Sequence, residues 1–132
     1  MAAMSDFLEG ELLDHVLNNN AYTSPTSVYV ALFTAAPSDT GGGTEVSGNA
    51  YARVTMTGGW TISGVATRAE NTAAVTFPQA SGGNWGTITH VGIFDAATVG
   101  NLLFHGALTA SKVVNDTDQI EFPATTLGVT LT

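Results

Sequence analysis

The hydrophobic and polar positions of this chain follow a helical period only near its start. Between residues 5 and 18, apolar side chains recur at every third or fourth position, which is the spacing of one helix face. Ser5 and Asp6 both favour the start of a helix, and the three asparagines at 18–20 favour its end. The pattern predicts one N-terminal α-helix, and we expect residues 1–20 to form an arm that carries it.

Beyond this arm, the apolar positions follow the period of β-strands. The segment 27–34 is apolar on both faces, which favours a central strand buried on two sides. Segments 87–96 and 102–109 are separated by a turn containing Gly100 and Asn101, so they predict a hairpin. Further strands are predicted at 51–57, 60–67, 73–77 and 127–131, with short strands near Lys112 and Ile120.

The number and spacing of these segments indicate the fold class. About eight strands at roughly 8–12-residue spacing are typical of a sandwich or jelly roll. The twenty threonines support this, because a β-branched side chain fits a pleated, half-exposed surface. We predict a single all-β domain over residues 21–132, an antiparallel β-sandwich or jelly-roll preceded by one N-terminal α-helix. The polar loop at 36–49 is expected to be mobile unless a partner orders it.

The charge balance excludes several classes of partner. Lys and Arg number 3 against 11 Asp and Glu, giving a net charge of −8, so the chain lacks the basic surface that nucleic-acid binding needs. The absence of cysteine excludes disulfides and thiolate metal ligands. No segment reaches the roughly 20 apolar residues of a membrane span, so we expect no membrane contact. Because the N-terminus lacks Lys and Arg, we expect no secretory signal and synthesis in a cytoplasm.

The sequence carries no recognisable pattern of catalytic residues. It has neither a cysteine nucleophile nor a G-x-S-x-G turn, and the glycine run at 41–43 is not followed by the Lys-Ser or Lys-Thr of a phosphate loop. The acidic residues at 116–121 supply too few ligands for a calcium loop. A pair of catalytic carboxylates stays open, because any two acids could meet in the fold. We predict a protein that is not an enzyme and has no cofactor.

Two histidines of the predicted hairpin lie on one face of the sheet. A register that pairs His105 with Gly92 also pairs His90 with Ala107, so the imidazoles are one diagonal step apart. Two imidazoles at that distance could share a metal ion, but Asp95 points to the opposite face and no carboxylate completes the site. The favoured interpretation is that both are core or interface histidines, without a metal.

Five aromatic residues offer a sugar-stacking surface as one interpretation and core or interface packing as the other. They are Tyr22, Tyr29, Tyr51, Trp60 and Trp85. Arg53 and Arg68 are two of only three basic residues. We expect each to pair with an acid, either inside the chain or across a subunit boundary, and a solvated arginine is the alternative.

Three segments are distinctive when taken together: YTSPTSVYVALFT, EVSGNAYAR, and the hairpin WGTITHVGIFDA with GNLLFHGAL. In this order they resemble a family of small virion proteins of tailed bacteriophages, whose members are usually labelled tail fibre-like or structural proteins. The similarity covers nearly the whole chain. The resemblance implies a non-enzymatic β protein built into the virion and assembled in the cytoplasm of the host bacterium.

The resemblance does not fix a place in the particle. A compact β domain with an N-terminal helix favours a capsid decoration or cement protein that binds and stabilises the assembled head as a homotrimer. Its partners would be the major capsid protein or other virion proteins. The alternatives are a tail or tail-fibre component that contacts the host receptor, and a carbohydrate-binding β-sandwich module. The residues predicted to contact partners or subunits are Phe7, Leu8, Leu12, Tyr51, Arg53, Trp85, His90 and His105.

Overall fold

One α-helix and eleven β-strands form the regular structure of the described residues, 3–62 and 68–131, in a computed structural model of the chain. The helix α1 spans Asp6–Leu17. The strands are β1 (Ala3–Met4), β2 (Val28–Ala35), β3 (Thr44–Glu45), β4 (Val54–Met56), β5 (Trp60–Ile62), β6 (Arg68–Asn71), β7 (Val75–Thr76), β8 (Gly86–Phe94), β9 (Leu102–Val114), β10 (Glu121–Phe122) and β11 (Gly128–Thr130). The strand predicted at 60–67 is therefore seen at its start, and its remainder lies outside the described residues.

Six of the strands form the main sheet, in which neighbouring strands are antiparallel. The order is β1-β9-β8-β2-β3, and β4 also pairs with β2. The four consecutive residues from Val30 to Phe33 in β2 are all buried. A strand that is apolar on both faces gains most from a central position with cover on each side. The predicted central strand is confirmed.

Two small sheets, β10-β7 and β11-β6-β5, pack against one face of the main sheet. The core between the layers contains Leu32 and Ile88 from the main sheet. From the second layer, Phe77 and Phe122 meet edge to face with ring centroids 6.1 Å apart. The all-β antiparallel sandwich with one N-terminal helix is confirmed. The described strands outnumber the prediction because several have only two or three residues, too few to show a period.

The hairpin of β8 and β9 has the register that the sequence predicts. Gly92 lies opposite His105, and His90 lies opposite Ala107. The strand β9 continues to Val114, beyond its predicted end at residue 109. Most side chains of this extension are exposed, so the sequence there lacks the apolar alternation that marks a half-buried strand.

The start of α1 is fixed to the main sheet. Ser5 is the N-cap, because its Oγ accepts a hydrogen bond of 3.2 Å from the amide of Leu8. The Ser5 amide and hydroxyl donate to the carbonyls of Leu103 and Leu102 in β9. The preceding strand β1 also pairs with β9. The predicted helix is confirmed, with Ser5 rather than Asp6 as its cap, and the segment that carries it begins inside the sheet.

The loop at 36–49, which the sequence predicts to be mobile unless a partner orders it, makes several contacts with the rest of the chain. Pro37 and Val46 are buried, and the Val46 amide donates to the Leu32 carbonyl over 3.0 Å. Ser38 and Gly41 exchange two backbone hydrogen bonds of 2.9 Å. The loop is thus attached to β2 although its composition is polar and rich in glycine, and its mobility stays a prediction.

Candidate functional site

The helix α1 presents a row of large apolar side chains to solvent. Leu13, Val16 and Leu17 are 60, 67 and 74% exposed, and Phe7 and Leu12 are also exposed. None of the twelve residues of α1 is buried. Contiguous apolar patches of this kind on a folded domain mark surfaces that contact other molecules. We therefore take this row, Leu12, Leu13, Val16 and Leu17, as the apolar stripe of the candidate site.

The opposite side of α1 is less apolar than the stripe. Its half-buried residues Leu8, Glu11 and Asp14 are spaced three apart, so they lie on one side of the helix. Only Leu8 among them is apolar. A helix of about twelve residues is only marginally stable alone in water. The hydrogen bonds from Ser5 to β9 fix the start of this helix to the main sheet. Of the helical residues predicted to contact partners, Phe7 and Leu12 are exposed and Leu8 is half-buried.

Negative charge lies at the other end of the same helix. Asp6 and Glu9 occupy the first turn of α1, and both side chains are exposed. Carboxylates at this position interact favourably with the partial positive charge at a helix N-terminus. Spaced at 100° per residue, Asp6 and Glu9 fall on the same outward side as Leu13 and Val16. The outward side of α1 is thus acidic at its start and apolar at its end.

An open cleft of about 580 Å³ lies beside the first turn of α1. Its walls come from Asp6 and Phe7, from the loop at 39–43, and from the turn at 99–102. Asp39 in this cleft is held by His105, with the Oδ1 and Nε2 atoms 2.7 Å apart. The cleft therefore lies between the acidic first turn of α1 and the main sheet.

Arg53 at the wall of this cleft is engaged inside the chain. Its Nε and Nη2 donate to the two carboxylate oxygens of Glu45 over 2.8 and 2.7 Å. Its Nη1 donates to the carbonyls of Ala96 and Val99, each over 2.8 Å. The guanidinium carbon also lies 3.7 Å from the centre of the Phe94 ring, a cation–π contact. The acid partner predicted for Arg53 is thus within the chain, and a subunit contact of Arg53 stays a prediction.

Tyr51 and Trp85, both predicted at an interface, pack with the core. Their rings meet edge to face with centroids 5.3 Å apart, and Tyr51 also stacks on Phe77. The Tyr51 hydroxyl accepts from the buried amide of Leu32 over 3.0 Å and donates to Glu45 over 2.8 Å. Burial raises the pKa of Tyr51, and the adjacent Glu45 carboxylate acts in the same direction. A partner contact of Tyr51 or Trp85 stays a prediction.

The two hairpin histidines have different neighbours. The His90 Nδ1 lies 2.8 Å from the hydroxyl of Thr89, whereas His105 contacts Asp39. Among residues 3–62 and 68–131, no group of three or more His, Asp or Glu side chains is arranged to hold a metal ion. Asp39 was not identified from the sequence because it approaches His105 from a loop 66 positions away.

In the described part of the chain, no helix has the length and apolar character needed to cross a bilayer.

Three of the five aromatic residues of the sugar-stacking interpretation are engaged with the core. Trp85 is buried in it, and Tyr51 and Trp60 pack against it. The Trp85 indole also donates to the Asn49 carbonyl over 2.9 Å. Ring faces that are covered inside a chain are not free to stack on a sugar, so Trp85 fits the packing interpretation. Tyr51 and Trp60 are partly buried against the core, and Trp60 also lines a groove.

Arg68 has a weaker partner than Arg53. Its Nε lies 3.2 Å from Glu70 Oε2, and both side chains are partly exposed. Arg68 also borders an apolar groove of about 390 Å³ between β4, β5 and β11, lined by Met56, Trp60 and Val129. The sequence predicted an acid partner for Arg68, and the structure identifies it as Glu70.

The apolar stripe was visible in the sequence, but its direction was not. Leu13, Val16 and Leu17 are part of the helical pattern that predicted α1. A periodic pattern identifies which residues share a face, and it does not identify whether the rest of the chain covers that face. Phe7, Leu8 and Leu12 were therefore predicted to contact partners, whereas the most exposed part of the stripe was not.

Comparison with known families covers almost the whole chain. Residues 3–130 match the family described as Gp80, podophage GP4 fiber I protein gp80. No curated protein matches the chain. The match confirms the resemblance to a family of phage virion structural proteins and agrees with the tail fibre-like label.

Proposed function

The chain belongs to the podophage GP4 fiber I protein gp80 family, and we propose that it is a fibre subunit held in the virion through the apolar stripe of α1. The family is one of phage structural proteins, a class that is in general non-enzymatic. The observation that carries the proposal is the exposure of Leu13, Val16 and Leu17 on a helix whose start is fixed to the main sheet.

The stripe offers enough apolar surface for stable attachment. Complete burial of a Leu or Val side chain contributes about 1.5–3 kcal/mol, and three such residues lie on consecutive turns of α1. Because Ser5 anchors the helix to β9, a partner would not have to order the helix start when it binds. A pre-positioned apolar face supports a role as an attachment surface.

The test compares particles that carry charged substitutions on the stripe with a matched control. Leu13→Asp and Val16→Asp together should reduce the amount of this chain in purified virions by about tenfold or more, because the carboxylates would be buried at the contact. The control is Val113→Asp on β9, where the valine is similarly exposed at 61%. Normal incorporation of the double variant, measured by immunoblot, would contradict attachment through α1.

Head decoration is the second candidate function. A single sandwich body with one apolar helix suits a subunit that occupies repeated sites on a shell, and a homotrimer would match local three-fold symmetry there. The major capsid protein would then be the partner. Gold-labelled antibody on intact particles distinguishes the two candidates: label on fibres supports the first, and label over the head supports the second. The mass of the purified protein in solution tests the trimer.

A further inference from the structure

We propose that the outward side of α1 binds a different virion protein, through a segment that combines apolar side chains with a lysine or arginine, and not a second copy of this chain. This inference rests on the proposed attachment through α1. It adds the chemistry of the partner, which the apolar stripe by itself does not specify.

Charge is distributed unevenly along the outward side of α1. The carboxylates of Asp6 and Glu9 lie in the first turn and are exposed, while Leu13, Val16 and Leu17 lie in the last turns. A partner that covers the whole side must therefore satisfy acidic groups at one end and apolar groups at the other. An uncharged apolar partner would desolvate the two carboxylates without compensating them.

The surroundings of the first turn add to the negative charge. Asp39 and Glu45 line the adjacent cleft together with Asp6. Arg53 is the cation of that cleft, and Glu45 and two backbone carbonyls already occupy its donors. A basic side chain from outside would meet complementary charge there, which favours association with the correct partner and disfavours like-charged ones.

A second copy of this chain offers few basic groups, and each of them lies beside an acid. Its three basic residues are Arg53, Arg68 and Lys112. Arg53 and Arg68 are ion-paired, and Lys112 lines a cleft together with Asp118 and Glu121. Any face of a second copy that presents Lys112 would therefore also present acids to the acidic turn of α1.

Packing of α1 against α1 of a second copy along the whole length of the helix is unfavourable in either direction. A parallel arrangement places Glu9 beside Glu9 of the other copy, and like charges at short range repel. An antiparallel arrangement with the same full overlap places Glu9 against the end of the partner's apolar stripe, which desolvates the carboxylate. A basic, apolar segment of another protein avoids both costs.

The test is photo-cross-linking in assembled virions. A photoreactive amino acid replaces Val16, and a matched chain carries it at Val113, which has similar exposure on β9. Mass spectrometry identifies the peptide attached to each position. We expect Val16 to capture a peptide of a different virion protein that contains Lys or Arg near the cross-linked residue. Capture of this chain's own peptide, or of a peptide without Lys or Arg, would overturn the inference.

A charge reversal gives a second, independent measurement. Glu9→Lys should lower incorporation into virions by about tenfold, whereas Glu121→Lys on β10 makes the same change of charge elsewhere and should leave it unchanged. Equal incorporation of the two variants would reject the basic partner.

The outcomes separate the inference from the function on which it rests. If the chain is present in virions but Val16 captures a second copy of it, the attachment through α1 stands and the heterologous partner is rejected. If Val16 captures nothing while the chain is present, attachment through α1 itself fails. Absence of the chain from purified virions would reject the proposed function and the inference together.

Discussion

Arg53 and Glu45 form a two-bond ion pair within one chain, and the Arg53 side chain is only 6% exposed. Arg53 directly precedes β4, whereas the carbonyls of Ala96 and Val99 that it also binds belong to the turn between β8 and β9. Arg53 therefore connects the segment that carries Glu45, eight residues away, to a turn that lies 43 to 46 positions further along the chain. Loss of the Arg53–Glu45 ion pair should lower the free energy of unfolding of the monomer, whether or not the chain assembles with others.

Arg53→Ala should lower the free energy of unfolding by about 3 kcal/mol, because it leaves the Glu45 carboxylate, which is 24% exposed, without its cation. Arg68→Ala is the matched control, since the Arg68 side chain is 39% exposed and its contact with Glu70 is long. We expect the control to change stability by less than about 1 kcal/mol. Urea denaturation of both variants measures the difference, and equal effects would show that the Arg53 network is not a stability element.

Tyr51→Phe removes the hydroxyl that accepts from the Leu32 amide and donates to Glu45. Leu32 is completely buried, so water cannot replace the hydroxyl as the partner of its amide. We expect the free energy of unfolding to fall by about 1–3 kcal/mol at neutral pH. Denaturation experiments at constant temperature measure this cost, and an unchanged midpoint would contradict it.

The same variant tests the titration of Tyr51. Burial raises the pKa of Tyr51 above its ordinary value of 10.0. The unfolded chain therefore loses this proton at lower pH than the folded chain does. As pH rises past about 10, the wild-type protein should lose stability, and Tyr51→Phe should lose less over the same range. Parallel pH profiles for the two proteins would contradict the shift.

Ser5→Ala should loosen the start of α1 without unfolding the sandwich. The change removes the N-cap and a hydrogen bond to the Leu102 carbonyl, with an expected local cost of about 1 kcal/mol. Hydrogen exchange of the amides from Leu8 to Leu12 should become faster, while the buried amides of β2 keep their protection. The exposed Ser47 supplies the control, Ser47→Ala, which should leave both regions unchanged.

Gly43→Ala tests whether the loop at 36–49 is packed as described. A Cβ at Gly43 would lie 2.6 Å from the Pro37 nitrogen and 2.7 Å from the Ala35 carbonyl oxygen, and φ is +71°. Gly42 has a similar φ of +78° but open space around it. We expect Gly42→Ala to cost about 1 kcal/mol and Gly43→Ala clearly more, because backbone atoms must move. Similar thermal midpoints for the two variants would indicate a mobile loop.

The hairpin shows how far local sequence can predict this fold. Its strands are joined by a short turn, so the pairing of His90 with Ala107 follows from counting residues. The Arg53–Glu45 pair shows the limit: Glu45 was only one of eleven acids that could have served. Its choice depends on how the two-residue strand β3 pairs with β2, and a strand that short leaves no periodic signal.

The helix, the longer strands, the all-β class and the family can be identified from the sequence alone, because strand and helix periods are properties of neighbouring residues. The covered side of each element is known only from the folded chain. The tertiary structure places Trp85 inside the core and turns Leu13, Val16 and Leu17 of α1 towards solvent. The reason is physical. Burial depends on contacts between segments far apart in the chain, whereas a local pattern shows which residues share a face and not which face is covered.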